Sequence, residues 1–324
     1  MGATWTVGDG YNINADLLLA KSEDSAIIYA STLVPVGTGP DGRTIYDDTR
    51  AFNSDYILSN VKGSDAKSTQ IALSLTKAFD NFSWSAGYAW TDAEEVSPMT
   101  SSVAFSNFAL VAVSDPNNPG RATSNYEIEH RFTLSASYDA YWWGDNRTNF
   151  TFFGSHSSGR PISYVYDGAG AVFGDDVDGR HLVYVPTGPT DPRVNFGPNF
   201  DVDAFFAYAE ATGLMKYAGG IAPRNAFNSS WWTTFDLRIE QELPGFKEGH
   251  KFAAYVVFKN LCNLLNDSWC VLKETDFPLM REIISTGMTA DRSKYNYNEF
   301  FGVRAGRQVE ASLWEIAVGL TYRF

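Results

Sequence analysis

The sequence predicts an all-β protein, and its last thirteen residues, 312–324, carry the clearest pattern. Every second side chain from Trp314 to Phe324 is apolar, with an aromatic residue at each end, whereas the side chains between them are small or polar. A β-strand places two such rows on opposite faces. A strand that crosses an outer membrane needs about 9–11 residues, apolar side chains toward lipid and aromatic side chains at both interfaces. The pattern therefore predicts a membrane-spanning strand; the alternative is the last strand of a soluble β-sandwich.

The composition of the 324 residues narrows the class of protein. Aromatic residues make up 15% of the chain, yet the mean hydropathy is only −0.22. No apolar run approaches the roughly 20 residues of a membrane-spanning helix, whereas alternating strands keep the mean hydropathy low. The net charge of −13 argues against a nucleic-acid-binding surface.

Alternation of apolar and polar residues predicts nine strands along the chain. They cover residues 11–20, 26–36, part of 56–79, 82–90, 127–138, 148–166, 231–241, 252–261 and 312–324. Residues 203–217 have helical spacing, an acidic start and a glycine pair after their end, so they predict a short helix in an exposed loop.

The connections between these strands alternate strictly in length. Those near residues 21–25, 80–81, 143–146 and 244–250 are short, whereas those near 37–55, 91–124, 167–230 and 266–311 are long. In outer-membrane barrels the short turns face the periplasm and the long loops face outside. A Greek-key sandwich has no reason to collect its long connections at one end. The lengths therefore predict a transmembrane antiparallel up-and-down β-barrel, whose first strand runs inward and whose last strand ends in the periplasm.

Two features predict that further strands precede this sequence. Bacterial single-chain barrels have even strand numbers, and nine is odd. The first ten residues also lack the basic and apolar regions of a signal peptide. We therefore expect residues 1–324 to be the C-terminal part of one barrel domain.

Four stretches carry a resemblance to a known family: SSVAFSNFALVAVSDPNNPG at 101–120, SNYEIEHRFTLSASY at 124–138, SGRPISYVYDG at 158–168 and the segment 235–267. Over most of residues 11–324 the chain resembles the C-terminal half of Oar-like TonB-dependent receptors, outer-membrane proteins related to siderophore and nutrient importers. The resemblance implies about nine strands of a 22-stranded, plugged barrel in a Gram-negative outer membrane. About thirteen strands, the plug domain and the segment that contacts the energising TonB complex would then be absent from this sequence.

The resemblance also implies partners and an assembly signal. Gly319, Tyr322 and Phe324 match the terminal signal read by the barrel-assembly machinery, although Ala317 stands where the pattern has a polar residue. Outer-membrane lipid and a small-molecule, carbohydrate or peptide ligand are the other expected partners. Transport requires no chemistry on the ligand, so neither an enzyme nor a cofactor is expected. The residues agree with this expectation: no G-x-S-x-G motif surrounds a serine, and no two of the four histidines have metal-ligand spacing.

Charged residues on one strand are candidates for the barrel lumen. Asp236, Arg238 and Glu240 share the face opposite the apolar row, and Lys259 lies on the next strand. Because charges cannot face lipid cheaply, we expect them to line the lumen. They could guide a substrate or contact a plug; the alternative is a cross-strand ion-pair ladder that stabilises the wall.

The long loops contain three further groups of candidates. Their aromatic residues could stack on a sugar or peptide, or could pack the loops on one another; these are Phe205, Phe206, Tyr208, Tyr295, Tyr297 and Phe300. Asp175, Asp176 and Asp178 form part of a calcium-loop pattern that lacks its first Asp and last Glu, so a solvated acidic loop is the alternative. Cys262 and Cys270 could form a disulfide in an oxidising exterior or remain two free thiols.

These observations leave three functions open. The first is TonB-dependent uptake of an unidentified ligand. The second is an outer-membrane binding or adhesion protein whose barrel only displays its loops. A plug domain encoded upstream would favour uptake over surface binding. The third is a soluble secreted carbohydrate-binding β-protein, which would extract into aqueous buffer without detergent.

Overall fold

The computed structural model describes residues 1–49, 55–63, 65–302, 306–307 and 309–324. Its main sheet contains nine principal strands that pair in chain order, each antiparallel to the next. They are β1 (Gly2–Val7), β2 (Tyr11–Ser22), β3 (Ala66–Ala78), β4 (Phe82–Glu95), β5 (His130–Trp143), β6 (Asn146–Ser157), β7 (Trp232–Pro244), β8 (Lys251–Lys259) and β9 (Glu315–Arg323). The two-residue strand Ala122–Thr123 also pairs with β4. The all-β prediction is thus confirmed.

One predicted strand is wrong in its placement, and one strand of the main sheet was not predicted. Strand β1 lies in a region for which no strand was predicted, and the predicted strand at 26–36 is not part of the main sheet. Instead, Ala26–Ala30 pairs with Tyr56–Asn60 and Leu33–Thr38 pairs with Thr44–Asp48. Some apolar residues of these strands are buried in clusters shared with other loops, which the local alternation could not reveal; they are Ile28, Ala30, Leu33, Ile45 and Tyr46.

The correction moves the first short turn. It lies at residues 8–10, where Gly8 and Gly10 have φ values of +53° and +88° that favour glycine. The predicted turn at 21–25 is wrong, because β2 continues to Ser22 and leads into a long connection. Strand β2 therefore runs opposite to the direction expected for residues 11–20.

The alternation of short and long connections holds with these new boundaries. The short ones are 8–10, 79–81, 144–145 and 245–250; the long ones are 23–65, 96–129, 158–231 and 260–314. Because neighbouring strands are antiparallel, all short connections lie where the strands end on one side of the sheet, and all long connections lie at the opposite ends of the strands. We call these the short-turn edge and the long-connection edge.

The two faces of the main sheet differ in polarity. Leu73, Tyr88 and Phe132 are opposite one another in β3, β4 and β5, on the face that also carries Val318 and Leu320 of β9. We call this the apolar face; Val318 is 78% exposed and Leu320 66% exposed. The polar face carries a row formed by Asn14, Ser74, Gly87, Thr133, Ser155 and Thr234. Sandwich sheets bury their apolar face, whereas this sheet leaves it exposed.

A second, smaller sheet is built from the long connections. Its order is Val194–Phe196, Tyr295–Phe300, Met280–Met288, Pro161–Asp167 and Phe227–Asn228, with both parallel and antiparallel pairs. The strand Lys273–Glu274 pairs with Gly306–Arg307. Helices are short except for Val202–Thr212; the others are Ala104–Ala109, Gly170–Phe173, Leu261–Leu265 and Val309–Ser312. No helix in the described part of the chain is both long and apolar enough to cross a membrane.

The predicted helix at 203–217 is confirmed, but it is not free in solvent. Asp201 caps its first turn by accepting a hydrogen bond from the Ala204 amide at 2.9 Å. The helix ends at Gly213, whose φ is +77°, and a 3₁₀ turn, Leu214–Tyr217, follows. Phe205 and Leu214 are completely buried beneath it.

The hydrophobic core lies in the long connections. Its central residues are at most 1% exposed; they are Tyr166, Tyr184, Phe205, Ile283, Ile284, Tyr295 and Tyr297. We call this cluster the loop core. Arg224, in the connection 158–231, attaches the connection 96–129 to its own, since its guanidinium donates to the carbonyl oxygens of Glu95, Val96 and Gly120 at 2.8–2.9 Å. The long connections thus form one packed unit at one edge of the main sheet.

The position of the core predicts where shortening a side chain destabilises the protein. Ile284→Ala removes a fully buried side chain and should lower the free energy of unfolding by about 2–5 kcal/mol. The matched change Ile316→Ala, on the exposed apolar face, should cost less than about 1 kcal/mol. Urea unfolding in detergent, followed by the near-ultraviolet circular dichroism of the buried tyrosines, measures both. Equal losses would contradict a core confined to the long connections.

Candidate functional site

The charged candidates on the polar face divide between two places. Arg238 and Glu240 belong to a cluster near the short-turn edge, where Glu240 and Glu242 are nearly buried. Lys251 Nζ contacts Glu242 at 2.7 Å, and the guanidinium of Arg147 lies within 3.9 Å of both carboxylates. Arg323 completes the cluster at 3.9–4.0 Å. This arrangement is the ion-pair ladder given above as the alternative.

Asp236 and Lys259 lie outside that cluster. Asp236 accepts a hydrogen bond from the Asn260 amide at 2.8 Å, at the end of β8. Lys259 Nζ pairs with Glu315 at 3.0 Å, and both side chains are more than half exposed. The sequence analysis missed Arg147, Glu242, Lys251 and Arg323. Glu242 continues the two-residue spacing of Arg238 and Glu240, so the sequence alone could have identified it. The three cations lie on other strands, and only the strand register brings them close to the glutamates.

The loop aromatics mostly pack on one another. Phe205, Tyr295 and Tyr297 are completely buried in the loop core, so the packing alternative accounts for them and ligand contact does not. The Tyr297 hydroxyl donates to the Tyr184 carbonyl at 2.5 Å and lies 3.0 Å from the Tyr166 hydroxyl. The other three candidates, Phe206, Tyr208 and Phe300, are partly buried against the same core.

Each of the three aspartates of the calcium-loop pattern has a different environment in the structure. The Asp175 carboxylate contacts Arg180 at 2.9 Å and His181 at 2.8 Å, and all three side chains are fully buried. Asp178 accepts a hydrogen bond from the Gly170 amide at 2.8 Å, and Asp176 is exposed. Within the described residues, no group of three or more His, Cys, Asp or Glu side chains could hold a metal ion.

Burial and charge set the protonation of this buried group. Burial alone would raise the pKa of Asp175, but His181 and Arg180 outweigh it and lower that pKa. Burial disfavours the charged imidazolium and lowers the pKa of His181, and it outweighs the opposite effect of the Asp175 carboxylate. His181 is therefore neutral at pH 7 and Asp175 is ionised.

Cys262 and Cys270 form a disulfide, which decides between the two states left open by the sequence. It closes the start of the last long connection, beside Asn260, whose φ is +50°. Trp232 Nε1 donates to the Cys270 carbonyl oxygen at 3.3 Å, so this loop is attached to β7.

The proposed assembly signal lies on β9 at the edge of the main sheet. A Cβ added to Gly319 would come within 2.2 Å of the Tyr255 ring, which would have to move to accept any larger residue there. Tyr322 contacts His250 Nδ1 through its hydroxyl at 2.6 Å and packs against Phe252. Phe324 is almost fully exposed.

Comparison with known proteins adds no relative to this description. No family model, no curated protein and no solved structure matches the chain. The residues and their geometry therefore carry the functional inference.

The buried histidine predicts loss of stability in mild acid. His181 faces Asp175, Arg180 and Arg43, and its folded-state pKa lies below its ordinary value of 6.5. Below pH 6.5 the unfolded chain binds a proton that the folded chain does not, so the free energy of unfolding should fall by up to about 1.4 kcal/mol per pH unit. Unfolding measured at pH 5–8 should show this slope.

His181→Gln is the control for this slope, because it removes the titrating group and keeps a polar side chain. The variant should show a flatter pH dependence between pH 6.5 and 5. Identical slopes in the variant and the parent protein would show that another group is responsible.

Proposed function

We propose that the chain is part of the β-barrel of a TonB-dependent outer-membrane receptor, which takes up a ligand through a plugged barrel. The observation that carries the proposal is the main sheet: an exposed apolar face, a polar opposite face and all short connections at one edge. No reaction on the ligand and no cofactor is part of the proposal.

The dimensions of the strands support a membrane-spanning role. Strands β2 to β7 contain 12–14 residues each, and a membrane-spanning strand needs about 9–11. On the apolar face of β9 the aliphatic side chains of Val318 and Leu320 occupy the middle of the strand. A bilayer would cover this face, which no part of the described chain covers.

Aromatic side chains near both edges of the sheet support the same proposal. Trp142, Trp143 and Phe246 are exposed near the short-turn edge. At the long-connection edge Trp231 stacks on His130 and His156, with ring centroids 6.0 and 4.7 Å apart. Aromatic girdles of this kind mark the two lipid–water interfaces of outer-membrane barrels.

The polar face would line the lumen. Its charges are paired across strands, as in the cluster around Glu240 and Glu242. They can therefore line a water-filled or plugged interior, where they avoid the free-energy cost of facing lipid. The packed long connections would lie outside the cell, where they would meet the ligand first.

The open order of the main sheet supports a larger barrel. Within the described residues, β1 and β9 each have one neighbour in the sheet. Exposed edges of this length are sites of aggregation unless further strands pair with them. We propose that N-terminal strands of the same barrel pair with these edges, and that the plug and the TonB-contacting segment lie N-terminal to them.

A surface binding protein is the second candidate. The loop core favours it, because connections that form a packed unit of their own can present a rigid binding surface without any transport.

Sequencing the DNA upstream of the Met1 codon distinguishes the two candidates. We expect an open reading frame that is continuous with this codon and encodes a signal peptide, a plug domain and about thirteen further alternating strands. A stop codon directly upstream, with the protein still folded in outer membranes, would overturn the transporter and favour surface binding.

Two neighbouring substitutions test the lipid-facing assignment. Leu320 and Thr321 are both exposed but point to opposite faces of β9. Leu320→Arg should sharply reduce the amount of full chain recovered in outer membranes, because Arg near the bilayer midplane costs about 2–4 kcal/mol. Thr321→Arg adds the same charge to the polar face and should insert normally. Fractionation of a Gram-negative host that expresses each variant measures the difference.

The same experiment distinguishes an outer-membrane protein from a soluble secreted protein. In water both arginines would be well hydrated, so equal recovery of the two variants would contradict a lipid-facing apolar face. Recovery of the unsubstituted chain in aqueous buffer without detergent would also overturn the proposal.

A further inference from the structure

A cleft of about 400 Å³ opens in the long-connection unit, between the end of helix Val202–Thr212 and the smaller sheet. Its volume lies within the range of small-ligand sites. The side chains that define its character are two cations, three aromatic rings and one amide: Lys216, Arg281, Tyr164, Tyr217, Phe227 and Asn228.

The charge of the cleft is opposite to that of the chain. The chain has a net charge of −13, yet the only charged side chains among the described lining residues are Lys216 and Arg281. Lys216 is exposed at the 3₁₀ turn, and no carboxylate of the described residues lies within ion-pair distance of it. A local positive site on an acidic protein selects an anionic ligand.

Arg281 is held in place before any ligand arrives. Its Nε and Nη2 atoms donate to Thr275 Oγ1 at 3.1 and 2.8 Å, and Thr275 is itself buried. The guanidinium also lies 5.9 Å from the centre of the Tyr164 ring. Thr275 and the nearby Tyr208 hydroxyl thus fix the orientation of the planar guanidinium, a group that recognises carboxylates through paired hydrogen bonds.

The aromatic side chains form fixed walls. Tyr164 is nearly buried; its ring packs edge-on against Phe227 with centroids 4.6 Å apart, and Tyr208 donates to its hydroxyl at 3.3 Å. Tyr217 also packs edge-on against Phe227, with ring centroids 5.7 Å apart. Such rings offer a flat apolar surface to a sugar ring, and the Asn228 amide can both donate to and accept from its hydroxyl groups.

We propose that this cleft binds an acidic sugar, a hexuronate unit, through its carboxylate at Arg281 and Lys216 and through its ring at Tyr217 and Phe227. The site rests on its own geometry; only its part in uptake rests on the proposed function. Among the sequence candidates, Tyr208 contributes by fixing Tyr164 and does not itself line the cleft.

The test is calorimetric titration of the full chain in detergent with a trimer of galacturonic acid. Galactotriose, which has the same length and no carboxylates, is the matched neutral sugar. We expect the acidic trimer to bind and the neutral trimer to bind at least about tenfold more weakly, which corresponds to the loss of one charged hydrogen bond.

Single substitutions assign the binding to this cleft. Lys216→Gln removes an exposed charge and should weaken binding about tenfold without affecting the fold. Arg281→Lys keeps the charge but loses the planar pair of donors, and should weaken binding similarly. Lys247→Gln removes an equally exposed lysine from the short connection 245–250 and should leave affinity unchanged.

Three results would overturn the proposal: equal affinity for the two trimers, unchanged affinity in Lys216→Gln, or no binding of the acidic trimer at millimolar concentration. The titration needs neither a membrane nor an energy source. It can therefore succeed when the Leu320→Arg and Thr321→Arg variants insert alike, and fail when they differ, so the two proposals are tested separately.

Discussion

The antiparallel hydrogen bonding of nine strands in chain order is the constraint on which the rest of this structure depends. Register aligns the apolar rows of neighbouring strands, such as Leu73, Tyr88 and Phe132, on one face and the polar rows on the other. Because side chains alternate along a strand, a slip by one residue would exchange the two rows of that strand. The same chain-order pairing places every short connection at one edge and every long connection at the other.

This arrangement separates the hydrophobic surface of the molecule into two parts with different partners. The main sheet exposes its apolar face, whereas the long connections bury their own apolar residues in the loop core. Buried charges hold that unit together: Arg224 binds three backbone carbonyl oxygens, and Asp175 binds Arg180 and His181. Isolated buried charges are costly, so each of these groups fixes the position of the segments that satisfy it.

A packed long-connection unit gives the proposed binding site its rigidity. The cleft beside Lys216 and Arg281 is bordered by the smaller sheet and by a helix whose two ends are capped by Asp201 and Gly213. Side chains held by neighbours, as Arg281 is by Thr275, lose little entropy when a ligand binds. On the proposed function, such a site would select ligands at the outer edge of the barrel before they reach the polar lumen.

The sequence by itself determined the features that depend on local spacing. Alternation identified eight of the strands of the main sheet and their apolar rows, and the turn and loop lengths gave the alternation of connections. It failed at residues 26–36, whose alternation is real but whose partners are Tyr56–Asn60 and Thr44–Asp48, and at the short, glycine-flanked β1. Only the tertiary structure decided which side chains meet, as in the disulfide, the pairs around Glu242, the burial of Tyr297 and the fixing of Arg281. These contacts depend on strand register and loop packing, which join distant parts of the chain and leave no local period in the sequence.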